Sequence, residues 1–149
     1  MSVANLIEAV RGAKRVYICG NGGSAANAMH IANDLVACGV SAIPLTADIA
    51  TLTAIANDHG YVHVFERQIL THGQAGDLLI ALSGSGNSTN ILFALDAAKE
   101  LGMNTWAIVG DKGGAAPRHA ANSIKMGHDM QAAEEAQLLI GHQIMRALR

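Results

Sequence analysis

The stretch LLIALSGSGNS, residues 78–88, decides the fold. It opens on an apolar run, Leu78 to Leu82, of strand length and without the alternation of a half-exposed strand. It closes on Ser83, Gly84, Ser85, Gly86, Asn87 and Ser88, and the helical pattern TNILFALDAAKELG follows at once. A buried strand that passes through small residues straight into a helix opens a βαβ unit of a parallel sheet. The same order recurs upstream, where RVYICG (15–20) runs through Asn21, Gly22, Gly23 and Ser24 into a second helical pattern.

Further apolar runs predict strands at 41–46 (SAIPLT), 104–109 (NTWAIV) and 122–127 (NSIKMG). Helical patterns lie between them, at about 24–38, 49–57, 62–72, 88–101 and 130–148, with a short turn of helix around 114–120. The alternation predicts an α/β fold, a three-layer αβα sandwich on a five-stranded parallel sheet. Right-handed crossovers place helices on both faces, and the expected strand order is the flavodoxin-like 2-1-3-4-5. That order makes the carboxyl ends of strands 1 and 3 neighbours at the switch point, where ligands bind. No repeat or linker divides the 149 residues, so one domain, 1–149, is expected.

Composition removes several function classes. Lys and Arg total 10 against 12 Asp and Glu, and the positive charges are scattered, so the footprint of nucleic-acid binding is missing. No apolar stretch reaches the roughly 20 residues of a membrane span, and the start MSVANLIEAVRGAKR lacks a signal-peptide core, which points to the cytoplasm. Cys19 and Cys38 have no C-x-x-C spacing and read as reduced packing residues. Aromatic residues are 3% of the chain, too few for a flavin- or base-stacking site. Charged residues are only 15%, and the last helical pattern is apolar at Ala133, Ala136, Leu139, Ile140, Ile144 and Leu148. So broad a stripe predicts contact with another subunit as well as with its own sheet.

The chemistry is expected in the two loops. Glycines let the backbone turn sharply beside a ligand, and Ser24 is placed to cap the helix that follows it. Ser83, Ser85 and Ser88 offer hydroxyls around the start of a helix whose free N–H groups favour an anion. A neutral nest of this kind holds a phosphate monoester without lysine. Gly20-x-Gly22-x-x-Ala25 also satisfies a loose dinucleotide fingerprint. However, the acid expected about 20 residues on is absent, where Cys38, Gly39 and Val40 stand, and there is no Walker lysine. No nucleotide cofactor is expected.

GNGGSAANAMHIANDL, LTAIANDHGYVHVFERQ and GDLLIALSGSGNSTNILFALDAAKELGMNTWAIVGDKGG, taken in order, closely resemble the sugar isomerase (SIS) domain family, and within it the phosphoheptose isomerase branch. The resemblance runs from Lys14 to the last helix. It implies conversion of sedoheptulose 7-phosphate to a heptose 7-phosphate by a tetramer with shared active sites. It also implies that Ser24, Ser83, Ser85 and Ser88 surround the phosphate, with Asn21, Gly22 and Asn87 in the same loops, and that Asp58 helps hold the sugar chain. The acid/base pair that it implies is Asp34 and His142. An aldose–ketose isomerisation needs such a pair, one group to move the carbon-bound proton and one to manage the oxygens of the enediol.

Some members of the family bind zinc, and the matching residues here are His30, Asp34, Glu134 and His142. His30 and Asp34 stand at i and i+4 on one helix face. Glu134 and His142 are eight residues apart, about 12 Å along a helix axis, so one ion reaches both only through extended side chains or from different helices. The chain departs from the family at three points: Asp34 replaces a glutamate, Cys38 an arginine and Glu134 a glutamine. Only about 14 residues precede the first strand, where family members usually carry a further helical segment. Two other readings stand beside the isomerase: a non-catalytic phosphosugar-binding regulator, and an isomerase of another phosphosugar.

Overall fold

The computed structural model describes all 149 residues. Five strands form one parallel sheet: β1 (Val16–Cys19), β2 (Ala42–Pro44), β3 (Leu78–Ser83), β4 (Asn104–Val109) and β5 (Asn122–Lys125). Their order is β2-β1-β3-β4-β5, with Ile18 beside Ile80 and Ile80 beside Trp106. β1 and β3 are buried along their whole lengths, as strands covered on both faces must be.

The period of two in each strand divides the core. Val16, Ile18, Leu78, Ile80, Trp106 and Ile108 face one side, with Leu6, Ile31, Leu35, Ile140 and Ile144 packed on them. These come from α1 (Val3–Gly12), α2 (Gly23–Ala37) and α7 (Met130–Leu148). Tyr17, Cys19, Leu79, Ala81, Ala107 and Val109 face the other side, against Phe65, Ile69, Ile91 and Leu95. That layer contains α3 (Ile49–His59), α4 (Glu66–His72), α5 (Thr89–Glu100) and α6 (Ala116–His119). No helix is long and apolar enough to cross a membrane.

Four local differences from the sequence reading have physical causes. α1 has no counterpart in it; Ser2 and Asn5 close a capping box there, and Leu6 and Val10 are buried. The helix expected at 62–72 is a 3-10 turn, Tyr61–His63, followed by α4, because the chain bends to bury Val64 and Phe65 completely. β2 stops at Pro44, which has no N–H to donate and sits at the sheet edge where that is tolerated. Leu139, counted in the apolar stripe of the last helix, is 54% exposed; the buried face runs through Ala133, Ala136, Gln137, Ile140, Gly141 and Ile144 instead.

Candidate active site

The β1 and β3 loops meet as the strand order requires. Asn21 and Ser24 from the first loop, Ser83, Gly84, Ser85 and Ser88 from the second, and Met130 and Glu134 from the start of α7 line a small cavity of about 120 Å³. Gly86 has φ 66°, and a Cβ there would lie 2.0 Å from the Gly113 carbonyl oxygen, so only glycine makes this turn.

Hydrogen bonding decides what each hydroxyl offers. Ser83 Oγ accepts from the Gly86 N–H (3.1 Å), and Ser85 Oγ accepts from the Asn87 N–H (3.2 Å). Each therefore retains its own proton to donate. Ser88 is the N-cap of α5 but makes no side-chain cap bond, so its hydroxyl is also uncommitted. Three donors with no basic side chain beside them suit an oxyanion at a helix N-terminus.

Ser24 behaves differently. The N-cap of α2 is Gly22, which is exposed and makes no side-chain cap; Ser24 lies inside the first turn. Its buried hydroxyl donates to Gln137 Oε1 at 3.0 Å, so the expected cap is absent and the proton is spent inside the protein. Asn27 Nδ2 donates both to the same Oε1 (3.1 Å) and to the Glu134 carbonyl (2.9 Å), which fixes the Gln137 amide.

Gly22 does not line the cavity, and two other expected residues also stand apart from it. Asn87 Oδ1 accepts from the Ala115 N–H at 2.9 Å, a brace between loops, and its side chain lines an adjoining cleft of about 410 Å³ instead. Asp58 is exposed at the end of α3, where its carboxylate accepts from Asn57 Nδ2, and it lines neither space.

A second cluster lies farther along α2. His30 Nε2 and His142 Nε2 are 3.1 Å apart, and Asp34 Oδ2 is 3.4 Å from the first and 3.7 Å from the second. Two features of the helix pair build it. His30 and Asp34 share the face of α2 that meets α7, and Gly141 lets the helices close, since a Cβ there would lie 2.5 Å from Ile31 Cγ1. Asp34 Oδ2 is buried without a hydrogen-bond partner. The three ligand-type atoms lie within 4.8 Å of one another. Glu134, the fourth residue of the expected metal set, is not among them; its carboxylate packs against Gly23, at the first turn of α2.

The sequence profile of the SIS domain family matches residues 2–110. A phosphoheptose isomerase of Sulfurimonas denitrificans is 44% identical over 139 residues, covering 89% of this chain and 71% of that protein. One from Clostridium acetobutylicum is 40% identical over 144 residues, covering 92% and 74%. The structure of the phosphoheptose isomerase of Neisseria gonorrhoeae superposes with a TM-score of 0.94 at 33% identity, over 99% of this chain and 85% of that one. The chain belongs to the SIS domain family, in its phosphoheptose isomerase branch.

For a SIS domain the arrangement has a plain logic. The serine-lined cavity is formed by loops next to each other in the sheet, while the titratable cluster is formed by two helices on one side of it. Ser24 and His30 are six residues apart on α2, roughly 9 Å of helix axis. Between pocket and cluster run Asn27 and Gln137, neither of which was singled out from the sequence. Gln137 is 1% exposed, and its signal was available: an amide in the middle of the apolar stripe of α7. The single buried thiol, Cys19, lies under the β1 loop, and burial pushes it well above the usual thiol range, so it is inert.

Proposed function

We propose that this SIS domain interconverts sedoheptulose 7-phosphate and a heptose 7-phosphate. The observation that carries the proposal is a hydroxyl-lined cavity at the N-terminal end of α2, beside Ser24, with the carboxylate–imidazole cluster starting six residues farther along that helix at His30. Hydroxyls of Ser83, Ser85 and Ser88 hold the phosphate, with Asn21 and Ser24 completing the pocket, and the carboxylate–imidazole cluster of Asp34 and His142 lies farther along the helix. An extended seven-carbon phosphate places its first two carbons about that far from phosphorus. Asp34 removes a proton from C1 of the ketose while His142 delivers one to the C2 oxygen, giving the enediol. Return of a proton to C2 and loss of the O1 proton gives the aldose.

We also propose that the cluster accommodates zinc. Bonds of about 2.0–2.2 Å to tetrahedral ligands separate ligand atoms by roughly 3.3 Å, and the observed separations of 3.1, 3.4 and 3.7 Å match. His30, Asp34 and His142 would hold the ion, Glu134 would not, and a fourth position would stay open. Bound zinc would occupy the His142 nitrogen and would supply, in place of the His142 proton, a Lewis acid for the substrate's carbonyl oxygen. Residues 1–149 are proposed to form a single domain that acts in the cytoplasm and as a homo-oligomer of two or four copies. Exposed Met29 and Val36 on α2 and Leu139 on α7 support a subunit contact.

The deciding experiment supplies C5, C6 and C7 ketose phosphates in deuterated water, with and without zinc. The C7 substrate is expected to react and to gain deuterium next to the carbonyl. Binding without deuterium incorporation would replace the isomerase with a phosphosugar-binding regulator.

A further inference from the structure

The Asn21 amide is gripped from two other parts of the chain. Its Nδ2 donates to Asn90 Oδ1 at 2.9 Å, and Asn90 Nδ2 donates back to Asn21 Oδ1 at 2.9 Å. The Tyr61 hydroxyl donates to the same Asn21 oxygen, also at 2.9 Å. Asn90 is 3% exposed in the first turn of α5, the helix that leaves the β3 loop. Tyr61 is 54% exposed and stands in the 3-10 turn beyond α3. Three segments distant in sequence thus converge on one side chain of the anion pocket.

A primary amide has two N–H donors and an oxygen with two acceptor sites. Both acceptor sites of Asn21 are filled, and one donor is spent on Asn90. A single N–H remains, on a side chain that lines the cavity with Ser83, Ser85 and Ser88. Turning the Asn21 amide by half a revolution would set nitrogen against the Asn90 nitrogen and oxygen against the Asn90 oxygen. It would also present the pocket with an acceptor, which an anion repels.

We infer that Tyr61 and Asn90 are positioning residues that lock Asn21 as a one-proton donor toward an acceptor oxygen of the phosphosugar. This rests on the reading of the cavity as the substrate's phosphate site. Neither residue needs to touch the substrate. Tyr61, which looks like an ordinary surface aromatic, acts through the amide that it orients.

The test is a double-mutant cycle on the full chain, with sedoheptulose 7-phosphate as the probe, titrated calorimetrically and also turned over. Tyr61→Phe deletes one O–H at an exposed site and leaves the ring in place. It is expected to weaken binding and raise KM roughly five- to tenfold, the worth of one hydrogen bond, with kcat within about twofold. In an Asn21→Ala background the same substitution is expected to change neither. Asn90→Asp, which can accept from Asn21 but cannot donate to it, is expected to raise KM at least as much as Tyr61→Phe. An equal effect of Tyr61→Phe in both backgrounds would overturn the inference in favour of direct contact. So would no effect of Tyr61→Phe beside a clear effect of Asn21→Ala. If Ser83→Ala and Asn21→Ala both leave affinity unchanged, the phosphate-site reading itself falls, and the inference with it.

Discussion

At the scale of single residues, the serines of the pocket are not equivalent. Ser83 and Ser85 receive backbone N–H groups and keep their protons, whereas Ser24 gives its proton to Gln137. Ser83→Ala and Ser85→Ala are therefore each expected to weaken sugar-phosphate binding by about 1–3 kcal/mol, as for a hydrogen bond to a charged group, and Ser24→Ala by less. Calorimetric titration of the three variants checks the ranking. In the second cluster, Asp34→Asn and His142→Ala are each expected to lower kcat by roughly two or more orders of magnitude while substrate affinity survives, because the pocket is separate. Asp34→Glu, which restores the side-chain length of the family, is expected to retain activity. The residues themselves were legible as serine-rich loops and an i, i+4 pair. Which hydroxyl owns a free proton was not, because that depends on partners such as Gln137, 113 positions away from Ser24.

At the scale of elements, the seam between α2 and α7 governs the titratable cluster. Gly141 has no space for a Cβ against Ile31, so Gly141→Ala is expected to force the helices apart, cost about 1–3 kcal/mol of stability and separate His142 from His30. A thermal melt reports the first effect, and weakened zinc binding in a competition titration reports the second. α3 offers a pH test. The Asp48 carboxyl is held below the usual carboxylate range by hydrogen bonds from the Thr51 side chain and backbone. A depressed folded value means that the cap's contribution is complete above the unfolded carboxylate range and is lost as pH falls through the folded value. Protection factors of the α3 amides, with the intrinsic pH dependence of exchange removed, are thus expected to fall as pH drops through the carboxylate range, and to be less pH-dependent in Asp48→Asn.

At the scale of the molecule, the exposed Met29, Val36 and Leu139 lie on the two helices that carry the cluster, on the side away from the sheet. Leu139→Glu is expected to shift the protein toward monomer in light scattering coupled to size exclusion, with circular dichroism unchanged. The sequence by itself determined the α/β class, the strand order and the meeting of two small-residue loops at the switch point. Those properties follow from burial, and burial leaves a period in the chain: unbroken apolar runs for strands covered on both faces, wider repeats for helices. It also brought His30, Asp34 and His142 to attention, through residue type, spacing and family resemblance. Only the tertiary structure decided that Glu134 stands by Gly23 rather than with the histidines, that Asp58 lies outside the cavity and that Ser24 is a buried donor to Gln137. It alone brought Tyr61 and Asn90 to Asn21. Such contacts depend on how two helices cross and on which rotamer fills the space between them, and neither leaves a period along the chain.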